Sequence, residues 1–271
     1  MTALNKALTI AGSDTSGGAG MEADLKTMEE FGVYGMTALT CIVTMDPLTW
    51  EHSVEPLPLA LVEKQLKTVI EGIGIKAMKT GMLGSTDLIE LVAKTIDKYD
   101  LHNVVIDPVM VCKGCDEILV PDAAAAIKEL LLKRCDIITP NTVEAAFLAD
   151  MPEVKTVAQI KEAAQRICSL GAKHVVIKGG ERLGTGQALD IYSDGETFNE
   201  MTTPMIHPSY NHGAGCTYSA AITAGLANGL SVSAAVCQAK AFVTAALKHG
   251  FPLNNFVGCT NHTAYKKYGV D

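Results

Sequence analysis

Short β-branched runs alternate with amphipathic helical stretches along almost the whole chain. Val104–Ile106 is a continuous apolar run typical of a strand covered on both faces, and Leu59–Ile70 has apolar residues at helical spacing. Such alternation predicts parallel strands with helices on both faces of the sheet. Ala188–Tyr192 and Thr197–Met205, joined by a Ser-Asp-Gly turn, predict one antiparallel hairpin. We therefore expect a single three-layer α/β/α domain over residues 1–271, with a mostly parallel central sheet.

The composition excludes several classes of partner. Of the 271 residues, 22 are Lys or Arg and 30 are Asp or Glu, so the formal net charge is −8 and no basic surface for nucleic acid is expected. No apolar stretch approaches the roughly 18 residues of a membrane helix, and residues 218–227 come nearest. The eight Cys residues are scattered, which is typical of reduced thiols. We expect a cytoplasmic protein that binds small molecules and neither nucleic acid nor membranes.

A glycine-rich loop, Gly12–Gly20, follows the first predicted strand. Glycines let the backbone approach a ligand closely and expose its N–H groups. A dinucleotide-binding fingerprint is an alternative, because Gly18–Ala23 fits G-x-G-x-x-A, although the acidic candidate Asp46 comes late. A purely structural turn is a third interpretation. The sequence contains no G-x-x-x-x-G-K-[ST] motif, so a P-loop is not expected to hold phosphates here.

A second cluster, His212–Cys216, directly precedes an Ala-rich helix predicted for Thr217–Ala227. Small residues at the beginning of a helix place N–H groups and the positive end of the helix dipole at one point. This arrangement suits the charge of a phosphoryl group during its transfer. Cys216 stands where thiols ionise more readily. The alternative for Cys216 is a small buried side chain under a tight turn.

Three further groups follow predicted strands, where ligands of parallel sheets bind. Asn141 and Glu144 lie at the start of a predicted helix. One carboxylate, together with phosphates and waters, usually binds Mg²⁺. The same two residues are equally typical of a helix cap. Asp107 is a second acidic group at the end of a strand. Lys178–Gly180 offers a cation and bare backbone for a triphosphate, or forms an ordinary turn.

Taken in order, these residues resemble the ribokinase-like superfamily, and within it the vitamin kinases that phosphorylate pyridoxine or hydroxymethylpyrimidine. The matching motifs are Ala11–Gly20, Met78–Met82, Ile106–Val111, Thr139–Glu144, Val176–Gly180 and His212–Cys216. The resemblance implies a ribokinase-like fold and transfer of the γ-phosphoryl group of ATP, with Mg²⁺, to a primary alcohol on an aromatic ring. It also implies a homodimer, and a monovalent cation is a further candidate cofactor.

The resemblance assigns roles to individual residues. Catalysis would involve Cys216, Cys112, Gly213 and Gly215. The substrate pocket would contain Gly12, Ser13, Asp14, Ala19, Val43, Met45, His52, Met82 and Val109. ATP would be bound by Asp107, Lys113, Asn141, Glu144, Lys178, Gly179, Gly180, Gly213, Ala214, Gly215 and Lys240, and the metal by Glu144 and Asp107. For His52 and Lys113 a plain surface position is the alternative.

One position departs from the superfamily pattern. Ribokinase-like enzymes in general have Asp, the base that accepts the hydroxyl proton, where this chain has Cys216. Vitamin kinases of the hydroxymethylpyrimidine type also carry Cys there, so this residue does not separate the two substrates.

The loop Val111–Glu117 is a better discriminator, because hydroxymethylpyrimidine kinases usually have Ala where Cys112 stands. They also tend to have Gln at the position of Met45. For the Cys-x-x-Cys pattern, a zinc site would need a second pair of ligands, which the sequence lacks. A redox role would need an electropositive setting, which is also missing. Inert loop thiols are another alternative. We expect Cys112, on a lid loop around residues 110–120, to capture the aldehyde of pyridoxal as a hemithioacetal.

The sequence therefore predicts ATP-dependent phosphorylation of the 5′-hydroxymethyl group of pyridoxal, pyridoxine and pyridoxamine. The alternative enzyme is a hydroxymethylpyrimidine (phosphate) kinase of thiamine biosynthesis. An alternative of another class is a non-catalytic protein that binds ATP or pyridoxal phosphate.

Overall fold

The computed structural model describes residues 4–110, 118, 120–180, 182–184 and 186–269. Cys112 and Lys113, with most of the predicted lid loop, lie outside these residues. The chain divides into two compact units, one of Met1–Leu83 with Ile206–Asp271 and one of Gly84–Met205. The assignment of all 271 residues to a single domain stays a prediction.

The elements alternate between strand and helix as the sequence predicts. In chain order they are β1 (Lys6–Asp14), α1 (Gly20–Glu30), β2 (Tyr34–Met45), β3 (His52–Pro56), α2 (Leu59–Ile70), β4 (Ala77–Thr80), α3 (Thr86–Lys98), β5 (Val104–Ile106), α4 (Pro121–Ala126), β6 (Ile137–Ile138), α5 (Thr142–Leu148), α6 (Val157–Ser169), β7 (His174–Gly180), β8 (Gln187–Ser193), β9 (Phe198–Pro204), α7 (Ala214–Ala227), α8 (Val232–Lys248), β10 (Phe251–Pro252), β11 (Gly258–Cys259) and α9 (Ala264–Tyr268).

In the first unit the strands are ordered β3-β2-β1-β4. β1 is parallel to β2 and β4, and β3 is antiparallel to β2. Helices α1, α2 and α7 pack on these strands. The Ala-rich helix α7 is buried from Thr217 to Ala227, which explains why its sequence is apolar on every side.

The pairing of β1 with β2 contains a register shift. Ala11 opposes Leu39, but Ser13 opposes Ile42, so β2 carries one extra residue at this point. As a result, the buried positions of β2 are even-numbered up to 40, while from 41 onward the odd-numbered positions are the less exposed. The shift therefore decides which side chains of the last part of β2 face the interior.

In the second unit the strands are ordered β5-β6-β7-β8-β9. The first three are parallel, and β8 and β9 continue the sheet in antiparallel pairing. The predicted hairpin is therefore confirmed, and helices α5 and α6 pack on β7. The predicted fold class, α/β with a mostly parallel central sheet flanked by helices, is also confirmed. Within the described part of the chain, no helix has both the length and the apolar character needed to cross a bilayer.

Two predicted helices differ from the structure. The stretch predicted as one helix over Asp122–Lys133 consists of α4, a π-helical segment at Ile127–Leu131 and a 3₁₀ turn at Leu132–Arg134. The apolar spacing alone does not distinguish these closely related hydrogen-bonding patterns. Helix α7 begins at Ala214, three residues before the predicted start, so the small residues of the motif form its first turn.

A buried ion pair links α1 to β4 in the first unit. The Nζ of Lys79 lies 2.7 Å from Oδ1 of Asp24, and both side chains are fully buried. Thr9 Oγ1 donates to the other oxygen, Oδ2 of Asp24, at 2.6 Å. Because both charges are removed from water, each depends on the other for compensation.

We predict that Lys79→Met lowers the free energy of unfolding by about 3–5 kcal/mol, because it leaves a buried carboxylate without its cation. Urea unfolding of the variant and the wild type measures this loss. The exposed i,i+4 pair of Lys67 with Glu63 provides the control, and Lys67→Met should cost about 0.5 kcal/mol or less. Equal losses for the two variants would contradict the importance of the buried pair.

Candidate active site

The carboxylate of Asp14, the last residue of β1, binds three groups. Oδ1 accepts the N–H of Ser16 at 2.8 Å, and Oδ2 accepts the N–H of Ala19 at 2.8 Å. Nε2 of His212 lies 2.7 Å from the same Oδ2. One carboxylate therefore fixes the glycine-rich loop and joins it to His212, two residues before α7.

The environment of Asp14 favours its ionised form. Burial by itself raises the pKa of this carboxyl, but the hydrogen bonds from His212 and Ser16 outweigh burial and lower the pKa to about 2. Asp14 is consequently an anion at neutral pH and binds its donors as a charged acceptor.

Gly213 makes the close approach between the loop and α7 possible. Its φ is 81°, in the left-handed region, and a Cβ at this position would overlap the carbonyl oxygen of Gly18. The carbonyl of Gly213 accepts the N–H of Thr217 at 2.8 Å, which begins the helical hydrogen-bond ladder. A side chain at position 213 would therefore separate the loop from the helix start.

The predicted anion-binding turn lies at the N-terminal end of α7. The first N–H groups of a helix lack acceptors within the helix, and the positive end of its dipole is there. The N–H of Ala214 donates to the carbonyl of Asn211 at 3.1 Å, so the protein itself engages this amide. Gly215 and Cys216 follow in the first turn, where Cys216 is partly buried.

His212 and His262, which the sequence did not single out as site residues, hold the start of α7. Nε2 of His262 lies 3.0 Å from Oγ1 of Thr217. Burial lowers the pKa of His262 to about 4, so this ring is neutral at physiological pH. The N–H of His212 donates to the carbonyl of Gly258 at 3.1 Å. The only sequence signal for His212 is its position next to the Gly-x-Gly motif.

Most predicted substrate-pocket residues occur in the first unit. Gly12, Ser13 and Asp14 end β1, while Val43 and Met45 lie on the less exposed side of the last part of β2. These positions are neighbours, because Asp14 pairs with Val43 in the register. The strand pairing therefore brings these predicted pocket residues close together.

Cys41 is a residue of this region that the sequence analysis missed. Its Sγ lies 3.9 Å from Sδ of Met82, and Thr40 Oγ1 donates to the carbonyl of Met82 at 2.8 Å. Cys41 alternates with Val43 and Met45 along β2, and this spacing of two is the signal that would have found it. Burial raises the pKa of the Cys41 thiol, so it remains protonated.

Glu22 binds the end of β1, and His52 lies opposite Met45 on β3. Ser13 Oγ donates to Oε1 of Glu22 at 2.5 Å, and the N–H of Asp14 donates to Oε2 at 2.9 Å. His52 pairs with Met45 across β3 and β2, which places both side chains on one face of the strands, although His52 is exposed.

In the second unit, polar residues meet at the carboxyl ends of three neighbouring strands. Nζ of Lys178 lies 3.2 Å from Oδ1 of Asp107, and Thr139 Oγ1 donates to the same oxygen at 3.3 Å. Asp107 follows β5, Thr139 follows β6, and Lys178 belongs to β7. The structure therefore brings Asp107 and Lys178 together.

Lys178–Gly180 is the end of strand β7 and not the ordinary turn that was one expectation, and its pairing with β8 shifts register here. A Cβ on Gly179 would overlap the carbonyl oxygen of Leu189 on the neighbouring strand. The N–H of Lys178 donates to the carbonyl of Pro140 at 2.9 Å, which holds this strand end beside Asn141. Three predicted nucleotide-binding segments are thus adjacent in one unit. Lys240 is a nearly buried residue of α8 in the other unit.

Both oxygens of Glu144 accept backbone N–H groups. Oε2 accepts from Asn141 at 2.8 Å and Oε1 accepts from Met110 at 3.0 Å. The side chain of Asn141 in turn accepts from the N–H of Glu144, which completes a capping box at α5. The capping alternative for this pair is therefore present in the structure. Burial raises the pKa of Glu144, and repulsion by Asp107 adds to the rise while Lys178 opposes it.

The residues present are compatible with Mg²⁺. No cluster of three or more His, Cys, Asp or Glu side chains suited to a metal occurs among the described residues. Mg²⁺ usually needs only one or two carboxylates, because phosphates and waters supply its other ligands. Asp107 and Glu144 are two such carboxylates in one unit, although Lys178 already offsets the repulsion between their charges.

We predict that Asp14 makes folding stability depend on pH in the acid range. Because its folded pKa lies below the unfolded value of about 3.9, the unfolded chain binds the proton first, and this stabilisation is lost as pH falls from about 4 to about 2. Chemical unfolding should show Asp14→Asn to be less stable than wild type by about 2 kcal/mol at pH 6, with the difference vanishing near pH 2.

Glu51→Gln, which changes an exposed carboxylate of the same unit, serves as the control and should follow the wild type throughout. A stability difference for Asp14→Asn that stays constant with pH would contradict the stabilising role of its ionised carboxylate.

Comparisons with known proteins agree with these motifs. The family described as phosphomethylpyrimidine kinase matches residues 14–261. A pyridoxine kinase of Bacillus subtilis (strain 168) is 54% identical over 264 residues, with 97% of each chain covered. A hydroxymethylpyrimidine/phosphomethylpyrimidine kinase of the same strain is 41% identical, with 99% of this chain and 98% of the relative covered.

A solved structure also resembles this chain closely. The pyridoxal kinase from Staphylococcus aureus in complex with AMP-PCP and pyridoxal is 48% identical and has a TM-score of 0.93, with 98% of this chain and 96% of that chain covered. The expected ribokinase-like α/β fold is thereby confirmed. The chain belongs to the phosphomethylpyrimidine kinase family.

Proposed function

We propose that this chain is a kinase that transfers the γ-phosphoryl group of ATP to the 5′-hydroxymethyl group of pyridoxal, pyridoxine and pyridoxamine. The observation that carries the proposal is the first turn of α7, which has Gly213 at its start and Cys216 within it. A helix N-terminus binds anions, and a thiol in its first turn can serve as a base. The pyridoxine kinase relative at 54% identity supports the same activity.

The residues of α7 supply both charge stabilisation and proton acceptance. Phosphoryl transfer requires donors at the positions where negative charge spreads over the moving group. The N–H groups of Gly213 and Gly215 and the dipole of the 14-residue helix α7 provide this stabilisation. Cys216 accepts the proton of the hydroxymethyl group as its oxygen attacks the γ-phosphorus, and ADP leaves with the electrons of the broken P–O bond.

The second unit supplies groups for the nucleotide. Lys178 provides a cation, and the backbone of Gly179 and Gly180 can approach phosphates closely, beside Asn141 at the capped start of α5. Mg²⁺, when held by Asp107 and Glu144 through waters and phosphates, would neutralise part of the charge on the transferred group. The nucleotide AMP-PCP in the Staphylococcus aureus pyridoxal kinase supports ATP as the phosphoryl donor.

The pocket residues favour vitamin B6 over the pyrimidine alcohol. Met45 and Met82 give this region soft apolar side chains, whereas a Gln at position 45 would favour the more polar pyrimidine. Cys112 offers a thiol that can add to the aldehyde of pyridoxal, a group that hydroxymethylpyrimidine lacks. The identities agree with this order, since the pyridoxine kinase is 54% identical and the hydroxymethylpyrimidine kinase 41% identical.

An ADP-release assay with pyridoxal, pyridoxine and hydroxymethylpyrimidine side by side tests the proposed function. We expect turnover with both B6 vitamers at a higher kcat/KM than with the pyrimidine. A higher value for the pyrimidine would favour the kinase of thiamine biosynthesis. Absence of ADP with all three substrates, together with retained nucleotide binding, would favour the non-catalytic alternative.

We predict that Cys216→Ala abolishes turnover, because it removes the proton acceptor, while ATP binding changes only a few-fold. Steady-state rates and calorimetric titration with ATP measure the two properties. Cys237→Ala, which changes an exposed thiol of α8, is the matched control and should retain full turnover. Wild-type rates in Cys216→Ala would refute the assignment of the base.

We predict that Cys112→Ala reduces kcat/KM for pyridoxal much more than for pyridoxine. The thiol adds across the aldehyde, with the C–S bond forming and the proton passing to the carbonyl oxygen, and pyridoxine offers no such group. Rates on the two vitamers with the same enzyme preparation provide the comparison, so pyridoxine is the internal control. Equal losses on both would argue against thiol capture.

The homodimer, the cytoplasmic location and the requirement for a monovalent cation stay predictions from the sequence. Sedimentation velocity and a potassium titration of the ADP-release rate measure the first and the last.

A further inference from the structure

Val109 has an unusual backbone conformation. Its φ is 41°, in the left-handed region, which β-branched residues strongly disfavour. Four other non-glycine residues of the described chain have a positive φ; three are Asp or Asn, which tolerate it, and the fourth is Trp50. Val109 is therefore the one β-branched outlier among the described residues. Such conformations persist only where the surrounding structure enforces them, and they concentrate at functional sites.

The carboxylate of Glu144 binds the peptide that follows Val109. The peptide that follows Val109 presents the N–H of Met110 to Oε1 of Glu144 at 3.0 Å. The second oxygen is held by the N–H of Asn141 at 2.8 Å, so the carboxylate cannot turn away. Glu144 is only 3% exposed, and Met110 is also buried, so water does not replace this contact.

We propose that Glu144 is a positioning residue for the vitamin substrate, because it holds the strained backbone at Val109, a residue that the family resemblance assigns to substrate binding. This role is additional to any contribution of Glu144 to metal binding. The inference rests on the proposed function, since it concerns the binding of the B6 substrate.

The chemistry of the two oxygens makes the role specific to a carboxylate. An ionised carboxylate accepts both N–H groups, whereas the amide of Gln has one oxygen and a nitrogen that only donates. Glu144→Gln can keep the bond to Asn141 or the bond to Met110, but not both. The strain at Val109 drives release of Met110, because φ can then relax toward a negative value.

A double-mutant cycle tests the proposal. Gly adopts a positive φ without strain, so the Val109→Gly background no longer needs Glu144 to hold the kink. We expect the loss of kcat/KM for pyridoxal caused by Glu144→Gln to be at least about threefold larger in the wild-type background than in the Val109→Gly background, where only the loss through Mg²⁺ remains. An equal loss in both backgrounds would overturn the proposal, because an effect through Mg²⁺ alone does not depend on the residue at position 109.

A second capping box in the same unit provides the control. Gln159 Oε1 accepts the N–H groups of Lys155 and Thr156 at the start of α6, in the same arrangement. Gln159→Ala removes that box and should leave kcat/KM for pyridoxal within about twofold of wild type, since a cap by itself contributes only to stability. A loss as large as that of Glu144→Gln would mean that Glu144 acts as a helix cap alone and would overturn the proposal.

Hydrogen exchange of the Met110 amide, measured by NMR on the full chain without substrate, separates this proposal from the proposed function. We expect faster exchange at Met110 in Glu144→Gln than in wild type. Unchanged exchange would overturn the positioning role whatever the activity. If wild type phosphorylates no B6 vitamer, the proposed function fails, and the role of Val109 toward that substrate fails with it, even where the exchange result confirms the contact.

Discussion

The candidate site of the first unit depends on the hydrogen bonds that the ionised carboxylate of Asp14 accepts. This carboxylate accepts backbone N–H groups from the glycine-rich loop and lies against His212, two residues before the first turn of α7. The contact between Gly18 and Gly213 can form only when these two segments are held together. The position of Cys216 and the amides beside it is thus set by a charge that lies outside the helix itself.

Glu144 also holds backbone N–H groups, but its surroundings shift its pKa in the opposite direction. Each carboxylate accepts two backbone N–H groups, but the pKa of Asp14 is lowered and that of Glu144 is raised. At Asp14 the hydrogen bonds of His212 and Ser16 outweigh burial and lower the pKa, whereas at Glu144 burial outweighs the opposing charge of Lys178 and raises it. In both cases a carboxylate holds two backbone N–H groups and joins two separate segments of the chain, although Asp14 reaches its second segment through the His212 side chain.

Much of the fold could be predicted from the sequence, because it depends on local pattern. Strand–helix alternation, the hairpin of β8 and β9 and the glycine-rich loop after β1 are each encoded within short windows. The bond between His212 and Asp14 could not be predicted, since it joins residues 198 positions apart and leaves no periodic signal. The same holds for the contact of Glu144 with Met110. The sequence placed Glu144 correctly at a helix start, but it did not indicate that the carboxylate reaches a second segment.

The extra residue in β2 has a consequence for how pockets of this kind diversify. Because side chains alternate along a strand, the residue inserted near position 40 exchanges the set that faces inward for the set that faces outward. Without that residue, Cys41, Val43 and Met45 would each move by one position, match the buried positions that precede the shift and still face inward. A one-codon deletion at this place would therefore spare the lining of the wall, whereas a slip of the whole strand pairing by one residue would exchange all three side chains together.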